Sequence, residues 1–158
     1  MAKYNKIVWS EGMFLTPHHF QQWDTHQSGT LNARLRSLIP YDWGVSELTI
    51  DREGLANGNL TLLACRGIFR DGCSVNIPDL DEVPSPRKAD EHFLPNMDAL
   101  ETYIAIPLER LNAANCLLSG KKATRETRYI EDSTNVLDYN TGENERQVSA
   151  ARKNIKIL

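Results

Sequence analysis

After Pro40 the apolar residues of this 158-residue chain come only in short runs separated by turn dipeptides, and that punctuation limits the fold more than any other feature. Leu48 and Ile50 alternate with polar residues, and Leu60 to Phe69 is largely apolar and β-compatible. Val75–Ile77, Tyr103–Ile106, Tyr129–Ile130, Val136–Leu137 and Ile155–Ile157 are further short strand candidates. Asn57-Gly58, Asp71-Gly72 and Asn140-Thr141-Gly142 supply turns between them, because Asn, Asp and Gly tolerate the positive φ of tight hairpins. Short strands with frequent turns predict a β-sandwich or barrel-like meander rather than βαβ units. Pro78, Pro84 and Pro86 fall within nine residues, so the stretch from Ile77 to Pro95 is expected to be a long irregular surface loop.

Before Pro40 the period is helical. Thr16-Pro17 is a strong start: Thr is a good N-cap, and proline at N1 lacks only an N–H that has no helical partner anyway. Phe20, Trp23, Gln27, Leu31, Leu35 and Leu38 then recur every three or four residues. Pro40 forces an end near Leu38. Gly29 weakens the middle by about 1 kcal/mol relative to alanine. One amphipathic helix over about residues 17–38 is predicted, in an otherwise β chain read as a single domain, 1–158.

The segment leading into this helix, Lys6 to Asp24, holds two Trp, two Phe, a Met and three aliphatic residues. Chain ends are normally polar and frayed unless tied down. Either the rest of the domain or a partner must cover these side chains. The segment is no signal peptide: Ser10, Glu11 and Gly12 interrupt the apolar run behind Lys3 and Lys6, and no small-residue cleavage site follows. No run approaches the roughly 18 apolar residues of a membrane span, so a cytoplasmic protein is expected. A net charge of −3 without a basic patch argues against nucleic acid. Cys65, Cys73 and Cys116 are odd in number and lack CxxC spacing, which predicts reduced thiols.

Tests for chemistry return little. His18, His19 and His26 are the most metal-like cluster. However, His19 and His26 lie about 10 Å apart along one helix face, too far to share a zinc ion. Asp79, Asp81 and Glu82 lack the spacing and glycine of an EF-hand and read as a solvated acidic loop. Asp51 and Glu53 read as ordinary turn and surface carboxylates. No GxSxG, GxGxxG or P-loop is present, and no base stands near a cysteine in sequence. No enzyme activity, metal or cofactor is expected.

The stretch Trp9-Ser10-Glu11-Gly12-Met13-Phe14-Leu15-Thr16-Pro17-His18-His19-Phe20-Gln21-Gln22 resembles the opening of the TssK family (also called ImpJ or VasE), baseplate subunits of the bacterial type VI secretion system. The resemblance continues in Pro40-Tyr41-Asp42-Trp43-Gly44-Val45, Leu48-Thr49-Ile50-Asp51, Ala64 to Gly72 and Tyr103 to Leu108. It implies an N-terminal β-rich shoulder domain, similar to that of siphophage receptor-binding proteins, taken from a longer protein with a helical neck and a C-terminal head. It also implies a homotrimer at the cytoplasmic face of the inner membrane. The shoulder would meet the wedge proteins TssF, TssG and TssE, and the head the membrane complex of TssJ, TssL and TssM.

On this reading Trp9, Met13, Phe14, Leu15, Pro17, His18 and Phe20 are the candidate wedge-docking residues. Trp23, Leu31 and Leu35 are assigned to trimer or core packing. The alternative that Trp9, Phe14 and Leu15 cover their own β-sheet stays open. A second function class, a β-sandwich carbohydrate- or receptor-binding module, would rest on Trp43, the loop-like Trp outside the N-terminal region.

Overall fold

The computed structural model describes residues 5–93, 96–122 and 124–158. Lys3, and Pro95 at the end of the irregular stretch, lie outside them. The chain divides into two compact units, Met1–Val45 with Gly67–Ser74, and Ser46–Arg66 with Val75–Leu158. The fold is mainly β.

In the first unit, helix α1 runs over Pro17–Leu38, the span predicted. Thr16 is extended at the N-cap, Pro17 occupies N1, and at the other end the Ile39 N–H donates to the Leu35 carbonyl at 2.9 Å before Pro40 stops the helix. The tip Gly67–Ser74 packs beside the helix. There the Arg36 guanidinium donates to the Arg70 carbonyl at 2.6 Å and stands 3.8 Å from the Asp42 carboxylate. Asp71 closes the tip by accepting the Cys73 N–H at 3.0 Å.

The strands are β1 (Gly44–Ile50), β2 (Asn59–Leu60), β3 (Leu62–Ile68), β4 (Ser74–Ile77), β5 (Arg87–Lys88), β6 (Ile104–Ala105), β7 (Cys116–Leu117), β8 (Tyr129–Val136), β9 (Arg146–Lys153) and β10 (Lys156–Ile157). They form four small sheets ordered β1-β3-β4, β10-β6, β2-β5 and β7-β8-β9. The expected turns place Gly58, Gly72 and Gly142 at φ of +79, +90 and +69°. In the second unit Leu62, Cys65, Val75, Ile77, Ile155 and Ile157 are buried. Leu62 and Cys65 are three apart and so point to opposite faces of β3. That suits the middle strand of a sheet, and it accounts for the unbroken apolar run there. Burial pushes the Cys65 thiol above its usual pKa.

Several elements differ from the sequence reading. A second, five-residue helix, α2, spans Arg52–Ala56. Asp51, read as a turn carboxylate, is its N-cap and accepts the Glu53 and Gly54 N–H groups at 3.1 and 3.0 Å. Tyr129–Ile130 and Val136–Leu137 are not separate strands: β8 runs unbroken from Tyr129 to Val136 against β9, which the sequence reading did not predict. The acidic loop after β4 is not simply solvated. Asp81 is buried, accepts the Asn76 N–H at 2.8 Å and pairs with Lys153 at 3.0 Å. Asp79 pairs with Arg66, and Glu82 with Arg152. Buried Asp81 needs such partners, whereas the Asp79 and Glu82 pairs are exposed, so the three neighbouring acids go to three different cations.

Candidate docking surface

The N-terminal arm is held locally, by the start of α1. The Thr16 N–H donates to His19 Nδ1 at 3.2 Å, and Thr16 Oγ1 lies 2.9 Å from the same nitrogen. His19 thus takes the place that Glu or Gln fills in a capping box. Upstream, the Trp9 and His19 rings stand 6.5 Å apart at centroids, tilted by 35°. Gln22 Nε2 donates to the Asn5 carbonyl at 3.2 Å. Between these anchors the chain reverses at Ser10-Glu11-Gly12-Met13, where the Met13 N–H reaches the Ser10 carbonyl and Gly12 adopts φ +76°. His19 therefore has a capping task, and the metal-like cluster is in part the start of a helix.

Anchoring does not bury the arm. Phe14 is 85% exposed, and Trp9 and Leu15 are each 49% exposed. Pro17, His18 and Phe20 are exposed as well, and Met13 is half-buried. The apolar stripe of α1 continues the same surface: Trp23, Leu31 and Leu35 are all exposed, and the helix buries none of its residues. Val8, Leu38 and Ile39, which were not among the candidate docking or packing residues, are exposed as well. Their signal was present in the apolar runs that flank the helix. Large exposed apolar side chains in this number make the region a candidate for contact with a partner.

Trp43, the residue of the carbohydrate-binding alternative, has the Arg70 guanidinium 4.4 Å from its ring centroid. The guanidinium covers one face of the ring, and the residue keeps 43% of its surface exposed. Among the described residues no three metal-ligating side chains converge, and no helix is long and apolar enough to cross a membrane.

The family model for the bacterial type VI secretion proteins EvfL, ImpJ and VasE matches residues 19–158. This chain belongs to that family. Within the VasE/ImpJ family it is 36% identical over 140 residues to the type VI secretion system baseplate component TssK1 of Pseudomonas aeruginosa. That match covers 89% of this chain and 30% of the relative, so the chain spans under a third of that relative's length. A crystal structure of TssK superposes with a TM-score of 0.82 at 25% identity, covering 99% of this chain and 34% of the other. A chain of a TssK–TssF–TssG baseplate subcomplex, solved by cryo-electron microscopy, gives 0.87 at 22% identity, with 99% and 51% covered. The expected mainly-β VasE/ImpJ architecture is therefore the observed one.

Proposed function

We propose that this chain is the shoulder of a structural, non-enzymatic type VI secretion baseplate subunit, and that its arm from Trp9 to Phe20 docks on wedge proteins of the TssF and TssG kind. One observation supports this reading: the arm is held against the start of α1, yet Phe14 is 85% exposed and Trp9 and Leu15 keep about half of their surface open. Aromatic anchors presented on a rigid support are what a hot spot requires. A structure of relatives in complex with TssF and TssG supplies the kind of partner. The exposed stripe of Trp23, Leu31 and Leu35 serves self-association toward a trimer. TssE, and the TssJ, TssL and TssM membrane complex, belong to contacts of the longer protein, which works in the cytoplasm beneath the inner membrane.

The test is co-purification of TssF–TssG with the protein lacking residues 1–15, a deletion that leaves the Thr16 cap in place. Loss of recovery with β-structure intact is expected. Full recovery would move the docking site elsewhere on the shoulder.

A further inference from the structure

Residues 132–151 are exposed without interruption. They form the outer part of the β8–β9 ribbon, whose register runs unbroken from Tyr129↔Lys153 to Val136↔Arg146. Strand β7 accompanies β8 only at Tyr129 and Ile130, so beyond that point the ribbon has two strands. Two strands alone are marginally stable in water. Alternation along the register puts Asp132, Thr134, Val136, Arg146, Val148 and Ala150 on one face, a half-apolar and exposed surface. At the tip Leu137 is exposed and Tyr139 fully so. The Asp138 carboxylate accepts the N–H groups of Asn140 and Thr141 at 2.9 and 3.1 Å, so the tip is an organised turn. The segment carries Asp132, Asp138, Glu143 and Glu145 against Arg146 alone, which equals the −3 of the whole chain. This is an acidic arm with an aromatic end.

The complementary surface lies at the other end of the same ribbon. A groove of about 480 Å³ has Ala105, Pro107, Leu108 and Leu158 on its apolar side, and its polar lining is Arg110 and Arg125 with the ion pair of Lys156 and Glu126, a net positive charge. It adjoins the base of the ribbon, where Arg128 Nη1 donates to the Pro107 carbonyl at 3.0 Å and the Asn154 N–H to the Arg128 carbonyl at 2.9 Å. Seven residue steps at about 3.4 Å place the tip roughly 24 Å away from that base. Tip and groove therefore cannot meet within one copy while the register holds. Between copies they can, head to tail, which is the arrangement that closes into rings.

We propose that the β8–β9 tip of one copy seats in the groove of a second copy, Tyr139 and Leu137 against Pro107 and Leu108, and Glu143 and Glu145 toward Arg110 and Arg125. The inference rests on the self-association proposed above and is independent of the wedge contact. Strand pairing between two arms is disfavoured by their shared negative charge.

Disulfide trapping tests it. Chains carrying Tyr139→Cys are mixed with chains carrying Leu108→Cys, with the wild-type chain as control for the three native thiols. A cross-linked product joining the two introduced thiols is expected. Adding Glu143→Lys and Glu145→Lys to the arm chain lowers its yield about tenfold through like-charge opposition. Adding Arg110→Glu and Arg125→Glu to the groove chain then restores it, which also shows that the variants fold. No cross product, a yield indifferent to charge sign, or a product joining arm to arm overturns the proposal. Recovery of TssF–TssG by the arm-reversed chain reports separately on the wedge reading.

Discussion

Phe14→Ala separates docking from folding more sharply than any other change in the arm. The side chain is 85% exposed. With roughly 200 Å² for a phenylalanine, about 170 Å² is open to a partner, and at about 25 cal/mol per Å² its cover contributes about 4 kcal/mol at most. Ordering the interface reduces this, so a loss of about 2–3 kcal/mol is expected, a 30- to 150-fold weaker complex. Folding should barely notice, because substitutions at exposed positions usually stay within about 0.5 kcal/mol. The assay pairs TssF–TssG titration onto immobilised protein with urea unfolding of the same variant. Trp9→Ala is the informative contrast, since it removes the packing on His19 as well as exposed area and should affect both measurements. Unchanged affinity for Phe14→Ala would refute the docking argument. A fall in the urea midpoint matching the affinity loss would show that Phe14 packs on its own domain.

Replacing His19 by alanine should cost the first turn of α1 about 0.5–1 kcal/mol, whereas His19→Gln keeps an acceptor for the Thr16 N–H, as hydrogen exchange of the first-turn amides will show. Gly67→Ala would place a Cβ 2.4 Å from the Gly44 carbonyl oxygen, an overpacking expected to cost about 2–3 kcal/mol and to lower the urea midpoint at unchanged slope. The N–H donors of Thr141 and Asn140 hold the Asp138 carboxyl below its usual pKa of 3.8. Because the folded value is the lower one, the stabilisation is full above 3.8 and is lost as pH falls through the folded value. The Asn140 and Thr141 amide resonances should therefore shift in acid below that point and stay constant from pH 5 to 8.

Legibility in the sequence followed the range of the interaction. Helix α1 was readable to the residue because its cap, stripe and proline stop all act within four residues. The three glycine turns were readable for the same reason. Helix α2 was not: five residues are too few for a helical period, and only the Asp51 cap betrays it. Strand β9 was hidden because Arg146 to Lys153 offers only Val148 and Ala150 as an apolar alternation, too weak a signal without the backbone register with β8. In the acidic loop Asp79 and Glu82 are exposed as expected, and only the burial of Asp81 escaped the sequence, because its partner Lys153 is 72 residues away.

By itself, then, the sequence determined a capped amphipathic helix, a β chain broken by glycine turns, and an apolar N-terminus in need of cover. Each of these follows from side-chain pattern over one or two turns of chain. Only the tertiary structure decided that Phe14 stands 85% exposed while Trp9 and Leu15 are half covered, and that an acidic ribbon projects beyond its sheet. Exposure is a property of what every other residue leaves open, and no local pattern contains it.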